Sequence, residues 1–242
     1  MLKLTYFNVR GRCFPLLLLL VDSGAAFDYE EVTTTDWIDM KRSDIIAPPE
    51  YPFLGLPTLE YELDGMREIL GETGAIGKFL EGRLRPEGSA ERSLHLRARL
   101  EMVREASAFF VNRIFQLSSD PDWLAPPSRD TVKAQVTQFL GALEYNLAAL
   151  ASDIIPAPSD QLLAATASAF AALWFSGDLF PSLRAQMTAG GLYPTCARLV
   201  ETVEQRSRIR KWLEEGDIKQ KAWTVRPSGQ MPHIQEQANR YD

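Results

Sequence analysis

The sequence predicts an α/β domain over residues 1–81 followed by an all-helical domain over residues 92–242. Three observations carry that expectation. The first 80 residues alternate between strand-like and helix-like runs. The stretch GRLRPEGSAE, residues 82–91, is polar, contains Gly and Pro, and reads as a linker. Beyond it, apolar residues recur at helical spacing and no convincing strand appears.

The elements follow in order. LKLTYF, residues 2–7, reads as the first strand. A helix follows from about Arg10 to Asp22; Pro15 suits its first turns and Ser23-Gly24 ends it. FDYEEVTT alternates enough for a second strand, and TTDWIDMKR reads as a short helix capped by Thr35 or Asp36. After a loop with Pro48, Pro49 and Pro52, LPTLEYEL is a third strand, Asp64-Gly65 a tight hairpin turn, and MREIL a fourth strand. Glu72 to Leu80 returns to helix. This order implies a small sandwich with a mixed sheet. In the second domain, Leu96, Leu100, Val103, Ser107, Phe110, Ile114 and Leu117 mark one helix. Val132, Val136, Phe139, Leu143, Leu147 and Leu150 mark another. Gln161 to Phe175 is apolar nearly all round, the mark of a central helix buried on every side. Tyr193–Gln205 and Ser207–Glu215 predict two shorter helices, the second closed by Gly216. The tail from Asp217, with Trp223, Pro227 and Pro232, reads as irregular.

Composition narrows the function. A 242-residue chain with 45% hydrophobic and 24% charged residues is expected to fold as a globular protein. A net charge of −6 with scattered Lys and Arg argues against a nucleic-acid partner. Cys13 and Cys196 form no CxxC, and His95 and His233 have no metal-ligand spacing, so neither a disulfide scaffold nor a protein-held metal is expected. The run Cys13–Val21 is too short to span a bilayer, and the start of the chain lacks a signal-peptide layout. These features imply a soluble, cytoplasmic protein in a reducing setting, with no membrane partner.

Three short stretches carry chemistry. Tyr6 ends a strand beside a helix start, where a neutral phenol could donate a hydrogen bond to a thiolate and lower its pKa. Moving a thiol from about 8.5 to about 6.5 requires about 2.7 kcal/mol, and one hydrogen bond to a charged group contributes about 1.5 to 3 kcal/mol. Taken alone, a strand tyrosine that packs its ring is the simpler reading. Pro57 opens a strand; trans is the default for its bond, whereas a cis bond would turn the Leu56 backbone outward to pair with a peptide-like ligand. Glu72-Thr73 precedes a helix whose N–H groups attract carboxylates, while Glu72 could hold an ammonium. Alone, that pair reads as an ordinary cap.

Together, TYFNVRGR, Leu56-Pro57 and Glu72-Thr73 resemble the glutathione transferases, and TYFNVRGR is similar to the tyrosine-type, sigma-like class. The likeness extends through TTDWIDMK and covers the first 80 residues; the rest matches in architecture, linker position and the Tyr193-Pro194 helix start. The resemblance implies a thioredoxin-like domain binding glutathione, a helical-bundle domain supplying an electrophile pocket, and a homodimer. It implies that Tyr6 holds the glutathione sulfur, that Arg12, Trp37 and Lys41 face the glycyl end, that Leu56 and a cis-Pro57 pair with the cysteinyl backbone, and that Glu72 and Thr73 bind the γ-glutamyl end. Gly11 would permit close backbone approach and leave Arg12 free for a carboxylate or the reacting centre. For the second substrate, Phe7, Val9, Phe109, Phe110, Arg113 and Trp223 are the candidates.

The chain also departs from the family pattern. Gly55 stands where Lys or Gln is common, PPEYP lengthens the neighbouring loop, and the usual capping box of the central helix appears as Leu163-Ala164-Ala165-Thr166. Cys13, beside Arg12, is a rival nucleophile, although cysteine-type relatives carry their cysteine nearer the strand end; a structural Cys13 is the preferred reading, and Cys196 reads as core. The function expected first is conjugation of glutathione to a hydrophobic electrophile, in a specialised metabolic role suited to the unusual loop and tail. A glutathione-dependent trans/cis isomerase of an unsaturated metabolite is second. A scaffold that kept the fold without turnover is the non-enzyme alternative, and the retention of Tyr6 argues against it.

Overall fold

The computed structural model describes residues 1–85, 92–117, 123, 125, 127–157, 160–188, 190–216, 218, 221 and 223. Strands β1 (Leu2–Phe7), β2 (Asp28–Val32), β3 (Thr58–Leu63) and β4 (Met66–Gly71) form one mixed sheet in the order β2-β1-β3-β4. β1 and β2 run parallel through a crossover that contains helix α1 (Phe14–Ser23), and β3 is antiparallel to both β1 and β4. Asp64 and Gly65 close the β3–β4 hairpin at φ 52° and 78°, the left-handed pair that a two-residue Asp-Gly turn supplies.

Helix α2 (Thr34–Arg42) corrects one expectation, because its cap is Thr33 rather than Thr35 or Asp36. Thr33 Oγ1 accepts the Asp36 N–H at 3.1 Å and donates to the Asp36 carboxylate at 2.6 Å, so the hydroxyl one residue earlier is the one positioned to reach the third helical residue. Helix α3 (Thr73–Arg83) continues two residues into the stretch expected as linker; residues 86–91 of that stretch lie outside the described residues.

The second part contains α4 (Leu94–Leu117), α5 (Ser128–Ala148), α6 (Ala151–Ile154), α7 (Ala164–Leu179), α8 (Pro181–Gln186), α9 (Pro194–Glu204) and α10 (Ser207–Glu215). α6 and α8 were not expected, since four and six residues are too short to display a helical period. Every residue of α7 is buried, and α1 packs directly on it: the Phe14 ring lies 6.2 Å from that of Phe170 and 5.7 Å from that of Trp174. One continuous apolar core therefore runs through both parts of the chain.

The weak local start of α7 is completed from the first domain. The Ala164 N–H donates to Glu81 Oε2 at 3.0 Å, the Leu162 N–H to Asp22 Oδ2 at 3.3 Å, and Gln161 Nε2 to the Glu81 carbonyl at 2.8 Å. A carboxylate from α3 thus replaces the missing capping residue. Asp22 is in turn held by Arg206 through a paired contact, Nε to Oδ1 at 2.5 Å and Nη2 to Oδ2 at 2.8 Å. α9 is capped the same way, with Glu144 accepting the N–H groups of Thr195 at 2.9 Å and Cys196 at 2.8 Å.

The tail expected as irregular still contributes to the core: Ile218 and Trp223 are both buried there. Pro227 and Pro232 lie outside the described residues.

Candidate functional site

A cavity of about 440 Å³ opens where the two parts meet. Its walls are the 3-10 turn Gly11–Cys13 at Gly11 and Arg12, the start of α1, Leu56-Pro57, the start of α3 with Glu72 before it, one face of α4, three residues of α7, and Trp223. A hollow of about 530 Å³ among α7, α8, α9 and α10 is larger, but none of the candidate residues lines it.

Tyr6 is the penultimate residue of β1, with its ring beneath the Gly11 turn. A Cβ on Gly11 would stand 2.6 Å from the Tyr6 hydroxyl, and Gly11 sits at φ +42°, so both space and backbone require glycine. The close approach lets the Arg12 N–H donate to Tyr6 Oη at 3.1 Å. Burial pushes the phenol up to about 12, against the opposing pull of that N–H. Tyr6 is therefore a neutral phenol at physiological pH. With its oxygen already accepting from Arg12, its own O–H remains to donate. Tyr6 lies behind the cavity wall, whereas Arg12 is exposed and lines it.

The Leu56–Pro57 bond is cis, and both residues line the cavity. No backbone hydrogen bond among the described residues occupies Leu56. Glu72 has φ 68° and ψ 121°, a conformation that costs a non-glycine residue about 1–3 kcal/mol. Its side chain does not cap α3; it stays exposed at the cavity edge, while its carbonyl accepts the Ile76 N–H at 3.0 Å. Thr73, Gly74 and Ala75 follow along the same wall.

Other candidates sit elsewhere. Phe7 packs edge-on against Trp37 at 5.6 Å, Trp37 against Tyr51 of the proline-rich loop at 5.3 Å, and Lys41 Nζ lies 5.7 Å from the Trp37 ring. This cluster is outside the cavity lining, with Trp37 buried and Lys41 exposed. Val9 is buried in the core. On α4, Phe109 is 72% exposed, Arg113 is exposed, and Phe110 stacks on Phe139 at 3.9 Å. None of these three lines the cavity; Arg104, Glu105, Ser107, Ala108, Val111 and Asn112 do. The helix presents a neighbouring arc to the cavity, and Trp223 is the one residue of the expected second-substrate set that reaches it.

The residues missed from sequence are polar. Arg104 reaches over the start of α3, where a Cβ on Gly74 would stand 2.6 Å from its Nη1, and it is held by Glu101 at 3.0 Å and by Glu105. Ser107 Oγ and Asn112 Oδ1 are buried without a hydrogen-bond partner among the described residues. By contrast, Ser176 Oγ closes on its own helix at the Ala172 carbonyl, 2.8 Å away. Arg10 and Asp178 form a buried ion pair at 2.9 Å. The signal available was Asp178 itself, an acid ending a long uncharged run, which needs a partner if buried.

Cys13 is fully buried, and burial pushes its thiol up, away from the thiolate a nucleophile needs. Cys196 is raised likewise, by burial first and then by Glu144. Among the described residues no group of His, Cys, Asp and Glu is arranged to hold a metal ion, and no helix is long and apolar enough to cross a membrane.

No family model matches the chain. It is 31% identical over 116 residues to a glutathione S-transferase of Dirofilaria immitis, across 47% of this chain and 50% of that protein. It is 38% identical over 79 residues to glutathione S-transferase P of Caenorhabditis elegans, across 33% of each. The matched regions thus span a third to about half of the length of these curated relatives. Among solved structures, the sigma-class glutathione S-transferase of Fasciola hepatica superposes at a TM-score of 0.70 with 18% identity, covering 88% of this chain and 95% of that one. The chain is thus similar in sequence to glutathione S-transferases over about half its length and shares their fold over 88% of it.

Proposed function

We propose that this chain is a glutathione-dependent enzyme that activates the glutathione thiol for attack on a hydrophobic electrophile. The observation that carries the reading is the buried, neutral Tyr6 phenol, held by the Arg12 N–H beside a cavity that gathers Arg12, Leu56-Pro57 and Glu72-Thr73. Glutathione lies along this wall as an added strand, its cysteinyl amide pairing with the Leu56 backbone. The γ-glutamyl carboxylate meets Thr73 and the start of α3, and its ammonium meets Glu72. Arg12 and Lys41, with Trp37 beneath it, serve the glycyl end. Tyr6 O–H donates to the sulfur once its proton has left, which favours the thiolate by about 1.5 to 3 kcal/mol.

Burial of Cys13 supports Tyr6 over a cysteine mechanism. The electrophile enters against Ala108, Val111, Asn112 and Trp223. Conjugation leads; trans/cis isomerisation, in which the same thiolate adds to an alkene and departs again, is the second route. We also propose a homodimer in the cytoplasm, supported by exposed apolar side chains at Phe53 (71%), Met102 (46%) and Phe109 (72%), the last two on one face of α4.

The test is turnover of an activated haloarene with glutathione, alongside calorimetric titration of glutathione into the wild type and Tyr6→Phe. The reading requires wild-type turnover, lost in the variant with glutathione affinity kept within a few-fold. Equal activity in both proteins at every pH would remove Tyr6 from the mechanism. With an unsaturated substrate, one glutathione consumed per molecule means conjugation; unchanged glutathione and product mass mean isomerisation.

A further inference from the structure

Asp178 lies in the last turn of α7, where that helix meets the tail, and it holds both sides of the junction. Its Oδ2 accepts from Arg10 Nη1 at 2.9 Å and from Trp223 Nε1 at 2.8 Å. Arg10 completes a closed set: its guanidinium carbon lies 4.2 Å from the Trp223 ring centroid, and its Nε donates to the Lys221 carbonyl at 2.9 Å. Arg184 adds a longer ion pair to Oδ1 at 3.6 Å. Arg10, Asp178 and Trp223 are 2%, 6% and 1% exposed.

Buried ion pairs contribute little net stability, and apolar side chains of the same volume often hold such a space as well. What this set supplies is direction. A carboxylate that accepts the indole N–H fixes the ring's rotation, which apolar packing alone would leave adjustable. That ring is part of the wall of the cavity assigned to the electrophile.

We infer that Asp178 is a positioning residue: by pinning the Trp223 indole it sets the depth of the second-substrate cavity and so selects compact electrophiles over bulky ones. The inference rests on the proposed function for the word substrate, but its size selection is a property of the cavity and is measurable without turnover.

Two unreactive aromatics of different size, toluene and pyrene, are titrated into the full chain without glutathione. The double variant Arg10→Met/Asp178→Leu removes the pin while leaving no unpaired buried charge. Its affinity for pyrene relative to toluene should rise about tenfold over the wild type. Asp178→Asn keeps an oxygen that accepts the indole N–H, so its ratio should stay within threefold of the wild type. A folded double variant with an unchanged ratio, or with both ligands weakened alike, would show that the set is structural only. If the double variant lacks a cooperative melting transition, Trp223→Phe decides, since it deletes the N–H and keeps an aromatic ring: the same rise supports the inference and no rise ends it. Because neither ligand reacts, a wild type without glutathione turnover would end the proposed function while leaving this test in force. With turnover present, the double variant should raise KM for a small haloarene about tenfold while leaving kcat and glutathione affinity within threefold.

Discussion

The two walls of the cavity are built on different principles. The N-terminal wall consists of backbone features tied to particular residue types: Gly11 at φ +42° over Tyr6, the Leu56–Pro57 pair, and Glu72 at φ 68° before α3. The helical wall consists of ordinary α-helix in α4 and α7 plus one buried tail residue, Trp223. Glycine, proline and a strained residue leave marks in a sequence because few alternatives fit. A helix face leaves only a period, and the period does not say which of two adjacent arcs meets a neighbour. The first wall is therefore suited to a constant ligand, and the second to a variable one.

Predictions can break this comparison or sharpen it, beginning with the largest effect. Tyr6→Phe should lower turnover at neutral pH by about 10- to 100-fold, the equivalent of one hydrogen bond to a charged group, while glutathione affinity changes only a few-fold. Steady-state kinetics beside calorimetry check it, and the activity that remains should require higher pH. Gly11→Ala should destabilise the chain by about 1–3 kcal/mol and lower turnover as well, because the added methyl displaces the Tyr6 hydroxyl it would meet at 2.6 Å. Denaturant unfolding measures the first effect; a variant as stable and active as the wild type would contradict the idea that this wall is set by its backbone.

Glu72→Gln should weaken glutathione about tenfold through loss of a charge-assisted bond to the ammonium, and wild-type affinity by calorimetry would reject that contact. Residues of α4 outside the wall should respond most weakly: Arg113→Ala and Phe109→Ala should leave KM for a small electrophile within twofold, since neither side chain lines the cavity. Phe109→Ala should instead weaken self-association, read by sedimentation. A large KM effect from either variant would mean that α4 presents a different arc to the substrate.

The same contrast explains what was legible before the structure. The four strands, the hairpin at Asp64-Gly65 and the buried central helix follow from residue patterns with narrow conformational uses. The grouping of Tyr6, Leu56-Pro57 and Glu72-Thr73 came from a family resemblance; the structure brings Leu56, Pro57, Glu72 and Thr73 to one cavity and leaves Tyr6 behind its wall. Phe109, Phe110 and Arg113 were expected at the cavity because aromatic and basic residues suit a pocket, yet α4 turns Arg104, Ala108, Val111 and Asn112 to it instead. That choice is made by packing against α7, the partner with which α4 shares its longest contact, and a single helix carries no record of it. The Arg10–Asp178 pair was equally invisible as a pair, since 168 residues separate its members. The departure from the capping box at Leu163 is visible in the sequence, and Leu163 indeed supplies no side-chain cap; the remedy, Glu81, lies in another element.

That remedy has a consequence for how the chain divides. A domain that carries all its own helix caps can be cut out, moved or synthesised alone. Here the central helix of the second domain begins on a carboxylate of the first, and Asp22 of the first is gripped by Arg206 of the second. The boundary seen in sequence is thus a boundary of composition rather than of autonomy. The N-terminal portion leaves the ribosome first and already holds Glu81 and Asp22 when α7 is made. The order of synthesis is also the order in which the cap and the helix become available. A helical fragment expressed from residue 92 onward would lack both carboxylates, and its most buried helix would begin with open N–H groups.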